Sequence, residues 1–147
     1  MIKKSILVIL IIVCCGCTHD IEKKTCTYSN NKMKDEVIFT IKNEEVINLN
    51  WKMERRIFSE DNKLSDDEKK RIIKNVLKSY SFESDGVDSQ AEIVEFKLYA
   101  TINIDFNKIK NIEEFTRLTS LEIENKDNVS YSKLKKQLKT KADFICE

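Results

Sequence analysis

The near absence of proline and glycine is the feature that most restricts what this chain can fold into. Its 147 residues include no proline and two glycines, Gly16 and Gly86. A dinucleotide-binding fingerprint, a Walker A loop, collagen repeats and Pro-rich or Gly/Ser-rich linkers each need several of these residues at fixed positions, so all are excluded. The length fits one domain, and almost the whole backbone is available for regular helix and strand.

The N-terminal residues have the pattern of an export signal. Lys3 and Lys4 precede an apolar run of about ten residues that ends at Cys15. Since a membrane-spanning helix needs about 20 apolar residues, the run has the length of a secretory signal core. Gly16 followed by Cys17 resembles the lipobox of bacterial lipoproteins, in which the cysteine receives a diacylglyceryl group and fatty acids such as palmitate and becomes the mature N-terminus.

We therefore predict cleavage after Gly16 and lipidation of Cys17. The alternatives for this stretch are lipidation at Cys15, an uncleaved anchor helix and a buried core segment. Two or more acyl chains anchor a protein stably where one chain is marginal. The predicted organisation is a signal peptide over 1–16, a lipidated N-terminus and tether over 17–24, and one globular domain over 25–147 on the extracytoplasmic face of a membrane.

The predicted mature chain is nearly neutral. Loss of Lys3 and Lys4 lowers the basic groups from 26 to 24 against 25 acidic groups, a formal charge of −1. Nucleic-acid binding needs a basic excess on one face, so we predict that nucleic acid is not a partner. The expected attachment to the membrane is the lipid anchor and not electrostatic adsorption, and the domain is expected to be a monomer.

Processing would leave two thiols in the mature domain, Cys26 and Cys146. Export places them where disulfides persist, and a bridge that closes so long a loop is worth about 4 to 5 kcal/mol in loop entropy. We predict that the two cysteines pair; two free thiols, one or both buried, are the alternative. The mature sequence has no Cys-x-x-Cys pair, which argues against redox catalysis.

Hydrophobic alternation predicts an antiparallel hairpin over residues 36–54. Val37, Phe39 and Ile41 share one face of the first strand. A turn at 42–45 follows, in which Asn43 can supply a positive φ. On the second strand the apolar residues are at odd positions: Ile47, Leu49, Trp51 and Met53.

The remaining elements complete an α+β pattern. Ser65-Asp66-Asp67-Glu68 is a capping box that opens a helix ending before Gly86, the turn glycine. Residues 90–106 have strand character with apolar even positions, and their length predicts a hairpin near 93–97. Two short helices are expected at 112–118 and 132–141, with Phe115, Leu134 and Leu138 inward, and short strands at 121–124 and 144–146. These elements predict an antiparallel sheet of about 4–6 strands with two or three helices packed against it.

The order of these elements resembles the YehR-like family of small bacterial lipoproteins, which carry a domain of unknown function. The likeness covers most of the mature chain and rests on Thr25-Cys26-Thr27, Gly86-Val87, the strand from Thr101 to Phe106 and the closing segment from Ser132 to Phe144. The resemblance implies an α+β domain in which helices pack against an antiparallel sheet. It implies no activity.

No catalytic or metal-binding constellation stands out, so we predict no enzyme activity, no cofactor and no metal. The one histidine, His19, falls in the tether beside Cys17. Asp66, Asp67 and Glu68 could be imagined as a metal cluster, but their position at a helix start explains them through the macrodipole and the backbone amides.

Three further features have both a structural and a functional interpretation. The segment Asp85-Gly86-Val87-Asp88 lacks the Asp-x-Asp-x-Asp-Gly order of a calcium loop and is interpreted as a turn. Trp51 alternates with core residues and is predicted to lie in the core, with an exposed contact to a ligand or partner as the alternative. A basic run is interpreted as a solvated helix face balanced by nearby acids, with contact to anionic head groups as the alternative; it consists of Lys133, Lys135, Lys136, Lys139 and Lys141.

These observations predict a non-catalytic, membrane-tethered binding or interaction domain whose sheet or edge strand contacts a partner protein of the cell envelope. The alternative is a small-ligand-binding accessory of an envelope transport system. An apolar cavity with a few inward polar groups would favour that alternative over simple protein contact. A hydrolase that uses carboxylates alone is a third hypothesis.

Replacing Cys17 by alanine should abolish fatty-acid labelling and release the protein from the membrane fraction, because the cysteine sulfur is the predicted site of lipid attachment. Metabolic labelling with a palmitate analogue and membrane fractionation check this. Cys15→Ala is the matched control and should change neither result. Persistent labelling or membrane retention of Cys17→Ala would refute the anchor assignment.

Overall fold

The structure, a computed structural model, describes residues 20–57, 64–80 and 85–147. Within these residues six strands form one antiparallel sheet, and three helices pack against it. In chain order the elements are β1 (Ile21–Ser29), β2 (Met33–Lys42), β3 (Glu45–Arg56), α1 (Asp66–Tyr80), β4 (Val87–Val94), β5 (Lys97–Asp105), α2 (Ile112–Thr119), α3 (Tyr131–Ala142) and β6 (Ile145–Cys146). The predicted α+β class is confirmed.

The sheet has the strand order β4-β5-β3-β2-β1-β6, and all neighbouring strands are antiparallel. β2 and β3 form the predicted hairpin, and both residues of its turn, Asn43 and Glu44, have positive φ (52° and 67°). Two successive positive φ values define a type I′ turn, whose twist matches that of the flanking strands. Asn43 therefore has the conformation that we predicted from the sequence.

One face of the sheet, called here the inner face, carries the core. Cross-strand partners point to the same side, so the register places Trp51 between Val37 of β2 and Ile102 of β5. All three helices pack against this face with buried or half-buried side chains: Val76 and Tyr80 of α1, Phe115 of α2, and Leu134 and Leu138 of α3. The opposite face is open and mainly polar, and Asn50, Lys52 and Thr101 are among its side chains.

The predicted inward position of Ile47 is wrong, and a bulge explains why. The register between β2 and β3 shifts at Thr40 and Ile41, so that Ile41 pairs with Val46 and Thr40 with Asn48. β3 therefore carries one extra residue at this point. Val46 is buried in the core, and the extra residue Ile47 is half-buried.

The hairpin predicted near 93–97 is confirmed, because β4 ends at Val94 and β5 begins at Lys97. The turn contains Glu95, with φ of 56°. After this turn the even-numbered residues face inward on β5, whereas on β4 the odd-numbered residues do. Ala100 faces the core from an even position on β5, whereas its partner Ala91 does so from an odd position on β4. Val94, predicted to face inward, is therefore 48% exposed.

The helices follow the sequence prediction, but the short strand predicted at 121–124 does not form. At the start of α1, the Ser65 N–H donates to Glu68 Oε2 (2.9 Å) and the Glu68 N–H donates to Ser65 Oγ (3.3 Å), as in a capping box. These contacts with Ser65 lower the pKa of Glu68. After α2, the Glu122 N–H donates to Gln137 Oε1, and Gln137 Nε2 donates to the Glu122 carbonyl (2.8 Å each). These backbone groups, which in a sheet would bond a neighbouring strand, are thus bonded to a side chain.

The turn glycine predicted before β4 is required by its surroundings. Gly86 has φ of 91°, a conformation that side chains with a Cβ rarely adopt. A Cβ at this position would lie 2.8 Å from the Asp105 carbonyl oxygen and 2.9 Å from the Ile109 nitrogen. Glycine is therefore needed both for the backbone conformation and for the close approach of the loop after β5.

β1 was not predicted, because the first half of the strand has charged residues at the positions that face the core. It begins at Ile21, inside the segment expected to be tether, and pairs with β2 along its whole length. Glu22 and Lys24 occupy inner-face positions near its start, and Cys26 and Tyr28 follow on the same face. The pairing with β2 fixes this strand despite its polar first half.

β6 holds the end of the chain against β1. Cys26 is in register with Cys146, and a disulfide joins the two residues. The Glu147 N–H donates to the Thr25 carbonyl (3.0 Å) beside them, so the cysteines occupy the closely spaced position between hydrogen-bonded pairs, with Cα atoms 4.0 Å apart. Cys26 is fully buried, and the bridge therefore closes the edge of the core.

Intact-mass analysis of the purified mature protein should show two extra alkylated thiols only after reduction. The double variant Cys26→Ser/Cys146→Ser should lower the free energy of unfolding by about 4 to 5 kcal/mol, because the bridge spans a sequence separation of 120 residues. Denaturant unfolding of both proteins measures the difference. Two thiols that react under denaturing, non-reducing conditions would contradict the bridge.

Candidate functional site

A cleft of about 500 Å³ lies between the inner face of the sheet and the C-terminal half of α3. The sheet lines it with Tyr28, Met33, Asp35, Trp51 and Arg55. Small-molecule sites typically measure about 300–1,000 Å³ and are mainly apolar with a few placed polar groups. The cleft therefore has the size and the composition to hold a small organic molecule.

The second wall comes from α3 and from the irregular segment that follows α2. Leu121 and Leu138 are buried at its base, and Lys141, Ala142 and Asp143 are exposed along its rim. The bonds between the Gln137 side chain and the backbone of residue 122, described above, fasten the segment to α3. This wall is therefore held by side chain to backbone contacts and not by a sheet.

Strand alternation brings the sheet residues of the cleft together. Tyr28 of β1 lies directly opposite Asp35 of β2, so both point to the inner face. Trp51 and Arg55 are four residues apart on β3 and share that face. The cleft thus occupies the end of the inner face where β1 ends and β2 begins.

Aromatic rings form the apolar part of the cleft. Phe144 packs edge-to-face against Trp51, with ring centroids 6.2 Å apart, and against Tyr28 at 5.8 Å. Asp143 has φ of 53°, and the Phe144 N–H donates to the Leu138 carbonyl (3.3 Å), which turns the chain after α3 back towards the sheet. The turn buries Phe144, which is 3% exposed.

An ion pair between the buried Asp35 and the half-buried Arg55 forms the polar part of the cleft. Asp35 is 6% exposed, and both of its carboxylate oxygens accept hydrogen bonds from Arg55, with Nη2 to Oδ2 at 2.9 Å. Arg55 Nη1 also donates to the Glu54 carbonyl (3.0 Å). The pair places a charge-neutral polar group beside the aromatic rings.

The second cation at the cleft is also paired. Lys141 Nζ donates to Glu122 Oε1 (2.8 Å) and to the Ser120 carbonyl (3.1 Å). The hydrogen bond from Lys141 lowers the pKa of Glu122. Arg55 and Lys141 therefore each have a carboxylate partner supplied by the protein.

Trp51 departs from the usual pairing of buried polar groups. Its Nε1 atom is buried and has no hydrogen-bond partner among the described residues. An unpaired buried donor costs about 1–3 kcal/mol, and a buried ion pair is often no more stable than apolar residues of the same volume. The unpaired Trp51 donor and the ion pair both lie in the wall of the cleft, and locally unfavourable features of this kind are expected at functional sites. Asn50 Oδ1, on the open face, is the other buried side-chain atom without a partner among the described residues.

The structure places the residues singled out in the sequence at different locations. Gly16, Cys17 and His19 lie outside the described residues. The Cys26–Cys146 disulfide does not line the cleft, but Cys146 comes two positions after Phe144, which does.

The acidic candidates have structural partners. Asp66, Asp67 and Glu68 form the first turn of α1, as the capping interpretation expects. Asp85 pairs with Lys110, and this hydrogen bond lowers the pKa of Asp85.

The lysine run and Trp51 are divided between two environments. Lys133 bonds Glu124 (2.8 Å) on the exposed side of α3, whereas Lys141 reaches the rim of the cleft. Trp51 is half-buried, packs against the core and lines the cleft. Its predicted core position and the alternative of a ligand contact are therefore compatible in this structure.

Asp35 and Arg55 were not among the residues predicted from the sequence, although the sequence carries a signal for them. Asp35 has the same odd parity on β2 as Val37, and Arg55 has the same parity on β3 as Trp51. A charged residue at a core-facing strand position needs a partner or a function. The convergence of two such residues at one end of the hairpin would have marked this site.

Among residues 20–57, 64–80 and 85–147, no helix is long and apolar enough to cross a membrane. In the same ranges no three His, Cys, Asp or Glu side chains are grouped so that they could hold a metal ion.

Comparison of the sequence with protein families and with curated proteins finds no match. Among solved structures, the NMR structure of the YehR protein of E. coli matches with a TM-score of 0.64 and 13% identity, over 88% of this chain and 92% of that one. The NMR structure of a protein from Streptococcus pneumoniae matches with a TM-score of 0.54 and 15% identity, over 100% and 97% of the two chains. At these identities the likeness establishes the fold alone, and the YehR-like fold expected from the order of the elements is confirmed.

Proposed function

We propose that the protein is an exported bacterial lipoprotein, anchored to a membrane through Cys17, whose domain binds a small and mainly apolar molecule in the cleft between the sheet and α3. The role is that of a non-catalytic binding protein, as in the accessory proteins of envelope transport systems. The proposal joins the lipobox-like sequence at Gly16-Cys17 with the cleft of the folded domain.

The cleft is the observation that carries the proposal. From the sequence alone, contact between the sheet and a partner protein was the first hypothesis, and an apolar cavity with a few inward polar groups was the feature that would favour a small ligand. The cleft has aromatic walls from Tyr28, Trp51 and Phe144, and its inward polar groups are the buried Asp35 and the half-buried Arg55. This combination is the usual composition of a small-molecule site.

The partners of the acidic residues support binding rather than catalysis. Both carboxylate oxygens of Asp35 accept hydrogen bonds from Arg55, so this group is poorly placed to accept a proton from a substrate. Asp143 is the other acid that lines the cleft, and it is exposed on the rim. A carboxylate-only hydrolase would need two acids that act on one bound molecule.

The proposed anchor would hold the domain close to the lipid surface. β1 begins at Ile21, so three residues separate Cys17 from the first strand. An extended chain spans at most about 3.6 Å per residue, which gives a reach of about 14 Å from Cys17 to Ile21. The start of β1 would therefore lie within about 14 Å of the lipid anchor, and the cleft would open at the other end of that strand, near Tyr28.

Indole, a small neutral molecule without a carbonyl oxygen, tests the cleft as an apolar site. Titration of the ¹⁵N-labelled domain should shift the backbone amide signals of Leu121, Leu138 and Phe144, with a dissociation constant in the millimolar range expected for a molecule of this size. The signals of Thr101 and its neighbours on the open face should stay in place. Shifts confined to the open face, or no shifts at all, would contradict the proposal.

A pair of variants on α3 serves as the control. Ala142→Phe places a large ring at the rim of the cleft and should weaken indole binding at least fivefold, because it occupies the space that the probe enters. Lys136→Phe introduces the same side chain at an exposed position of α3 that does not line the cleft, and it should leave the affinity unchanged. Equal effects of the two variants would show that indole binds elsewhere.

A further inference from the structure

We infer that the molecule bound in the cleft is uncharged and presents an acceptor oxygen of the carbonyl type to Arg55. This inference rests on the proposed function and specifies the chemical class of its ligand. The apolar body of the molecule would lie on the rings of Trp51 and Phe144, and its oxygen would reach the ion pair of Asp35 and Arg55 beside them.

Arg55 has N–H donors that its ion pair with Asp35 does not use. A guanidinium carries five N–H groups. Asp35 accepts one from each Nη atom, and the Lys34 carbonyl (3.4 Å) and the Glu54 carbonyl (3.0 Å) also accept from Nη1. The Nε hydrogen and the second hydrogen of Nη2 have no partner among the described residues, and 28% of the side chain is exposed. Arg55 therefore lines the cleft with donors that its bond to Asp35 does not use.

Both cations that line the cleft are already balanced by an acid of the protein. Arg55 is neutralised by Asp35, and Lys141 is neutralised by Glu122. A ligand carboxylate would have to displace one of these acids or enter without a compensating cation, which is costly in a partly buried site. Asp143 on the rim adds a further negative charge. An uncharged acceptor can use the donors of Arg55 without disturbing either pair.

Two other polar side chains that line the cleft, the half-buried Gln137 and the buried Thr119, already have partners. Gln137 uses both its amide oxygen and its amide nitrogen on the backbone of Glu122. Thr119 Oγ1 donates to the Phe115 carbonyl (2.8 Å) and accepts from the Leu121 N–H (3.1 Å). The donors left without a partner in the wall are therefore those of Arg55 and the buried Nε1 of Trp51, and both kinds of donor call for an acceptor.

Three probes with the same ring test this class: acetophenone has a carbonyl, ethylbenzene has no acceptor, and benzoate has a carboxylate. The double variant Asp35→Leu/Arg55→Met replaces the ion pair by apolar residues, a change that buried pairs often tolerate. The ratio of the acetophenone to the ethylbenzene dissociation constant should rise about five- to tenfold in this variant, because only acetophenone loses a hydrogen bond. Benzoate should bind the unmodified protein at least tenfold more weakly than acetophenone.

The matched control is Glu36→Leu/Lys52→Met, which removes a cross-strand ion pair of β2 and β3 on the open face and should leave the ratio unchanged. If the Asp35/Arg55 variant does not fold, Arg55→Lys keeps the charge without the guanidinium donors and should raise the ratio in the same direction. An unchanged ratio, or benzoate as the tightest probe, would overturn the inference. Ethylbenzene binding with an unchanged ratio would overturn this inference alone, whereas failure of indole and of both neutral probes would overturn the proposed function as well.

Discussion

The structure depends on one constraint, namely that the six-stranded sheet buries a single face and the helices have to cover it. α1 packs beside β4, and α3 packs beside β1 and β6, so different helices cover the two edges of the sheet. α3 ends at Ala142, and its last residues, with the segment after α2, face Tyr28 and Arg55 across the cleft. The cleft therefore lies at the end of the helix that covers this part of the sheet.

The C-terminal segment links the stability of the fold to the geometry of the cleft. Asp143 turns the chain, Phe144 packs on Trp51, and Cys146 joins Cys26 in the adjacent strand. β6 has two residues, which is too short to be held by backbone hydrogen bonds alone. The disulfide therefore fixes the position of the aromatic ring that lines the cleft, so the same bond supports both the edge of the core and the candidate site.

Much of the fold, but little of the site, could be predicted from the sequence. Strong local signals, such as the alternation around Phe39 and the capping box at Ser65, predicted their elements well. β1 was not predicted because Glu22 and Lys24 occupy positions where a core strand would have apolar residues, and only its pairing with β2 makes it a strand. The cleft combines residues from separate segments, so its existence depends on tertiary packing that no local pattern contains. The inward positions of the charged residues Asp35 and Arg55 on their strands were the local signs of it.

Identification of the bound position of a probe tests the central claim most directly. Isotope-filtered NOE spectra of the labelled domain with unlabelled indole report which side chains lie within about 5 Å of the probe. We expect NOEs from indole to the rings of Trp51 and Phe144 and to the methyl groups of Leu138, since all three line the cleft. NOEs to Tyr99 and Thr101 on the open face, or the absence of NOEs at saturating indole, would contradict the cleft as the binding site.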